Sequence, residues 1–209
     1  MESNKRPLAV RGSLLAFLTH FLSVQRPPSS LIICSTEEGF LEGLTGPSAS
    51  ASLGVLQALL CPTLEHIHTH EQVHVAFCPS VQSLKAYLSV FEACSKPNPE
   101  HESGQRRPIL AVINLISVHE GTSSDSAQGL SRACAMAVEA AIRTGLELMF
   151  FETAEIPRRY DGWERQVGIL SSTTRSFRSG ERAWVGRTVP VKAMLGRWCR
   201  FVELEESLF

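Results

Sequence analysis

Residues 108–119, PILAVINLISVH, pass almost without a break through apolar side chains, and nothing else in the chain restricts the fold as much. A strand with one wet face alternates apolar and polar residues; a strand buried on both faces does not. The run therefore predicts a central strand in a sheet covered on both sides. LIIC at 31–34, VHVAFC at 73–78 and LELMFFE at 146–152 have the same unalternating character. Parallel strands are expected.

Helical periodicity fills the intervals. Leu14, Leu15, Phe17, Leu18, Phe21 and Leu22 recur at three- and four-residue steps between Pro7 and Val24, which predicts a helix over that span. A second helix follows Ser80, a candidate N-cap, with Val81, Leu84, Leu88 and Phe91 on one face. The third is alanine-rich, from Ser126 to Thr144, and stops at Gly145. TEEGFLEGL reads as an exit turn and GPSASASLG as a loop. The alternation of strand and helix gives the α/β class: a mainly parallel sheet flanked by helices. After residue 165 the helical period ends, and short turns predict a C-terminal antiparallel meander.

With 209 residues and 44% hydrophobic content, one domain with a single core is expected over 1–209. It divides into an N-terminal helix and linker (1–30), an α/β core (31–155) and a basic β-meander (156–209). The net charge of -1 predicts no partner for the chain as a whole. Six cysteines without a C-x-x-C pair predict buried thiols in a reducing compartment. GSLLAFLTHFLSV behind a basic stretch imitates a secretory leader, but it contains His20 and lacks a small-residue cleavage site. No apolar run reaches the ~20 residues of a membrane helix, so no membrane partner is expected.

Three segments carry a resemblance. LIICSTEEGFLEGL is similar to the strand and turn of RecA-like recombinases, with Glu37, Glu38, Phe40 and Leu44 falling on the family pattern. ILAVINLISVH resembles their Walker B strand, and RTVPVKAMLGRWCRF their closing strands. The likeness is greatest to the small recombinase paralogues and the Shu complex-type subunits. It implies a nuclear, non-catalytic subunit that supports homologous recombination DNA repair by binding another RecA-like paralogue and single-stranded or forked DNA. The accessory subunits of Elongator-like tRNA-modification complexes are the alternative within the same likeness; a cytoplasmic location is the alternative to a nuclear one.

Two departures from that family bear on chemistry. A phosphate loop needs G-x-x-x-x-G-K-[ST], so that backbone N–H groups and a lysine can surround the phosphates. The chain has no Gly-Lys pair; RPLAVRGS stands where the loop would be, with no room expected for a preceding first strand. Asn114 occupies the Walker B position, where a neutral amide is a poor partner for Mg²⁺. No cofactor and no ATPase activity are expected.

Charge points elsewhere. Between Ile156 and Val202 ten cations face three acids, for a net charge of +7. Aromatic residues interleave with these arginines, a combination suited to phosphates and unstacked bases. Arg158, Arg159, Trp163, Arg165, Arg175, Arg178 and Arg182 form the expected nucleic-acid surface. His66, His68 and His70 in EHIHTHEQVH are weak metal candidates: on a strand they would share a face, but CPTLEHI also fits a short helix, which would scatter the rings. An enzyme using the strand-exit acids Glu37 and Glu38 is the remaining alternative. No nucleophile motif supports it.

Overall fold

A computed structural model of the chain describes residues 6–45, 73–92, 108–153, 162–170 and 187–204. Its strands are β1 (Leu8–Arg11), β2 (Ser29–Ile33), β3 (Val73–Phe77), β4 (Ile109–Ile113), β5 (Glu147–Phe151), β6 (Gln166–Gly168), β7 (Thr188–Pro190) and β8 (Arg200–Glu203). The helices are α1 (Leu14–Val24), α2 (Glu37–Thr45), α3 (Val81–Val90), α4 (Ala127–Thr144) and α5 (Val191–Leu195). Six strands form one sheet in the order β3-β2-β4-β5-β1-β8, while β6 and β7 pair by themselves. Every pairing in the large sheet is parallel, and β6–β7 is antiparallel. The α/β class read from the strand composition is the observed one.

The period of two along each strand divides the core into layers. Leu110 and Val112 of β4 and Leu148 and Phe150 of β5 face α3, α4 and α5. Ile109, Ala111, Ile113, Met149 and Phe151 face α1. There, Phe17 stacks on Phe151 with ring centroids 4.3 Å apart. All five residues of β4 are buried, as an unalternating run requires.

The expected caps are present. Ser80 accepts from the Ser83 backbone in a reciprocal capping box, and Gly145 ends α4 with φ 71°. At that φ a Cβ is disfavoured, hence the glycine.

Three expectations differ from the structure. Residues 8–11 are not the start of a helix but an interior strand between β5 and β8, so a first strand does fit. Four residues are too few to display a strand period, and the helix that follows them masks it. TEEGFLEGL is not a turn but α2, started by Thr36, whose Oγ1 accepts from the Gly39 N–H at 3.1 Å. In the C-terminal region the antiparallel element is the pair β6–β7; VKAML is helical, and β8 runs parallel to β1. The final strand thus completes the large sheet. Only the tertiary fold could bring its partner, 192 residues away in sequence by the register of Leu8 and Arg200, to its side.

Gly129, in the first turn of α4, carries a packing constraint. A Cβ there would sit 2.1 Å from the Ser124 carbonyl oxygen. Alanine normally favours a helix over glycine by ~1 kcal/mol. Here Gly129→Ala is expected to lose ~2 kcal/mol or more by overpacking, which a lowered thermal midpoint will report; an unchanged or raised midpoint would contradict the close approach.

Candidate functional site at the carboxyl ends of the strands

In open parallel sheets, ligands bind beyond the carboxyl ends of the strands where neighbouring connections leave for opposite faces. One such point lies between β1 and β5. The connection from β1 enters α1 on one face, whereas Trp163 and Val167, downstream of β5, pack on the other. Arg11, Gly12 and Ser13 border it from β1, Glu152 and Thr153 from β5, and Asn114 from the neighbouring β4.

The junction from β1 to α1 is only two residues, Gly12 and Ser13. Ser13 caps the helix by accepting from the Ala16 N–H. Leu204, after β8, lies against Gly12, where an added Cβ would be 3.3 Å from the Leu204 Cβ. The Leu204 N–H also donates to the Arg11 carbonyl at 2.9 Å. The β1–α1 junction is therefore a tight turn covered by an aliphatic side chain.

Asn114 has φ 61°, a left-handed conformation that asparagine tolerates better than most residues. Its Oδ1 accepts from the Thr153 N–H at 3.0 Å and from Thr153 Oγ1 at 2.9 Å. Its own N–H donates to the Phe151 carbonyl at 2.9 Å. The amide thus joins the tips of β4 and β5.

The carboxylate of this region is on the adjacent strand. Glu152 is buried; one oxygen accepts from the Ile116 N–H at 3.0 Å and the other from the Ser117 N–H at 2.7 Å and from Ser117 Oγ. Gly162 covers it so closely that a Cβ would be 2.7 Å from the Glu152 Cγ. Burial pushes the carboxyl up to about 7, against the opposing pull of the Ser117 and Ile116 donors and of Arg165. Arg165 in turn pairs with Asp125.

His119 is fully buried beside this group, with Nδ1 donating to the Leu115 carbonyl at 2.7 Å, and burial lowers its pKa. Its Nε2, Oδ1 of Asp125 and Nη1 of Arg165 have no hydrogen-bond partner among the described residues.

The expected nucleic-acid residues divide into three kinds. Arg158, Arg159, Arg175, Arg178 and Arg182 lie outside the described residues, as do His66, His68 and His70. Arg165 is a structural partner of Asp125. Trp163 is corrected: it is 2% exposed and meets Phe201 edge-on with centroids 5.4 Å apart, so its ring offers no face to a base. An aromatic residue among charges looked like a stacking platform, but a 3-10 turn over Gly162–Glu164 directs it inward. Glu37 and Glu38 are exposed in the first turn of α2. Among the described residues no three His, Cys, Asp or Glu side chains are grouped to hold a metal, and no helix is long and apolar enough to cross a membrane.

Glu152, Ser117 and Asp125 were not singled out from sequence. The one available signal was an acid directly after the apolar run LMFF, at the mouth of a buried strand. No protein-family model matches the chain, and no curated protein matches it.

The raised carboxyl has a definite pH signature. Between its ordinary value and about 7, the unfolded chain has released the proton that the native state still holds. Stability from this group is full below the ordinary carboxyl range and is lost as pH rises through about 7. The loss is on the order of 3 kcal/mol. His119, lowered by burial, acts in the opposite sense just below its ordinary value. Urea midpoints from pH 4 to 8 for the wild type and Glu152→Gln should therefore differ in slope, with the variant losing less stability as pH rises. Parallel profiles would show that Glu152 is not the titrating group.

Proposed function

We propose that this chain is a non-catalytic, RecA-like accessory subunit that supports homologous recombination by binding nucleic acid and a second RecA-like subunit in the nucleus. The observation that carries the reading is the two-residue β1–α1 junction covered by Leu204. Such a turn has neither the length nor the lysine to wrap a triphosphate. The tie between Asn114 and Thr153 supports the same conclusion. An amide whose oxygen already accepts two hydrogen bonds is a poor organiser of Mg²⁺ and its waters. The ATP-using half of the family's chemistry is absent, and the binding half is proposed to remain.

The binding surface is assigned to the arginine segments. Residues 154–161, with Arg158 and Arg159, leave from Thr153 and return at Gly162, which rests on Glu152. Residues 171–186, with Arg175, Arg178 and Arg182, connect the two strands of the β6–β7 pair. Both segments therefore begin and end on elements of the fold described above. Backbone phosphates of single-stranded or forked DNA are the expected ligand, and each arginine that neutralises one releases a counterion.

Replacing Arg158, Arg159, Arg175 and Arg178 together by alanine is expected to weaken DNA binding. The slope of log affinity against log salt should become shallower by up to ~0.7 per lost contact on a single strand. Arg132→Ala, on the exposed side of α4, is the control and should leave the slope unchanged. Equal effects of the two changes would remove the arginine segments as the site. Tighter binding of tRNA than of DNA would move the chain to the Elongator-like alternative.

ATP provides a separate test. Neither the wild type with its partner nor Asn114→Asp is expected to show Mg²⁺-dependent ATP binding, measured by titration calorimetry. The added carboxylate does not supply the missing loop, so binding by either protein would overturn the non-catalytic reading.

A further inference from the structure

Four cysteines are described, all of them free and buried: Cys34, Cys78, Cys134 and Cys199. Two of these end neighbouring strands. Ile33 of β2 and Phe77 of β3 are partners in a parallel register, and the Cys78 N–H donates to the Ile33 carbonyl at 2.8 Å. One step further along both chains places Cys34 beside Cys78. Both side chains lie in the same core layer, with α3 above them, as laterally paired residues of parallel strands must.

We propose that Cys34 and Cys78 are a paired dithiol that closes to a strand-to-strand disulfide when it meets a low-molecular-weight disulfide, pinning the edge strand β3 to the sheet. Neighbouring strands are separated by ~4.8 Å, inside the ~4.4–6.8 Å between Cα atoms that a disulfide spans. Both cysteines lie just beyond the final paired residues of their strands, where side chains adjust with less disturbance than within the ladder. Cys134, within α4, and Cys199, just before β8, have no such register.

The exchange balances in two steps. A thiolate at one cysteine attacks the small disulfide, forming a mixed disulfide and releasing one small thiolate. The second protein thiolate then attacks the mixed disulfide at the protein-bound sulfur and releases the other. One protein S–S bond replaces two S–H bonds; the small disulfide is reduced, and its two sulfurs take up the two protons. The protein dithiol is the reductant.

Position controls access. Among the described residues β3 has a neighbour on one side only, and Val75 and Phe77 are 46% and 37% exposed. Burial raises the pKa of both thiols, with Glu152 and Cys78 adding to the rise at Cys34. Attack is therefore slow in the closed sheet and proceeds through opening of the β3 edge. The bridge, once formed, opposes that opening.

The test treats the full-length folded chain with glutathione disulfide at pH 8 and follows intact mass and peptide maps. The expected product has lost two hydrogens, contains a Cys34–Cys78 cross-linked peptide, melts at higher temperature than the reduced chain and reverts with a dithiol reductant. Cys34→Ser and Cys78→Ser should each stop at a glutathione adduct on the remaining cysteine. Changing Cys61, Cys94, Cys134 and Cys199 together to alanine should leave the bridge in place. Stable glutathione adducts on both wild-type residues, a bridge between other cysteines, or free Cys34 and Cys78 after prolonged oxidation would each overturn the proposal. The wild-type peptide map decides this even if a variant does not fold.

Discussion

The five residues of β4 are buried on both faces, so their backbone groups depend on the strands to either side. β2 supplies one parallel ladder and β5 the other. An unpaired N–H or C=O in that position would cost as much as a lost hydrogen bond with no water to replace it. Once those ladders form, the remaining surfaces are apolar and need cover. α3, α4 and α5 provide it on one face and α1 on the other, and β1 and β8 extend the sheet from β5. The strand tips, and every group attached to them, are thereby fixed.

Why the tip of β4 is an amide follows from its neighbour. Glu152 already places a carboxyl at the tip of β5, where burial favours its neutral form and Arg165, among the described residues, supplies a balancing charge. A second carboxylate at 114 would add like-charge repulsion in the same dry region. Asparagine avoids that cost, tolerates φ 61° and presents an oxygen to both Thr153 donors. The carboxyl that does occur there is used for architecture: it holds the turn at Ile116 and Ser117, and Gly162 closes over it.

Charge in the C-terminal region is divided in a similar way. Arg165 is held by Asp125, and Lys192 approaches Glu164 at 3.0 Å, while Arg11 reaches the same carboxylate at 3.5 Å. The Lys192 and Arg11 contacts lower the pKa of Glu164. Exposed pairs of this kind contribute little to stability; their consequence is that these cations are already engaged. A count of arginines along the sequence does not reveal which of them are engaged in this way.

By itself, the sequence determined the class of fold, because strands without alternation can be satisfied only inside a covered parallel sheet. It also determined the Ser80 cap and the end of α4 at Gly145, since capping is a contact between residues three or four positions apart. It disclosed that the chain contains no Gly-Lys pair and that the apolar run of β4 ends on an amide, Asn114. Tertiary structure alone decided that residues 8–11 are an interior strand, that β8 lies parallel beside them, and that Trp163 faces Phe201 rather than solvent. It also brought Glu152 to Ser117 and Gly162, and Asn114 to Thr153. Each of those outcomes depends on atoms far apart in the chain, and local propensity carries no record of which distant partner will exclude water from a given side chain.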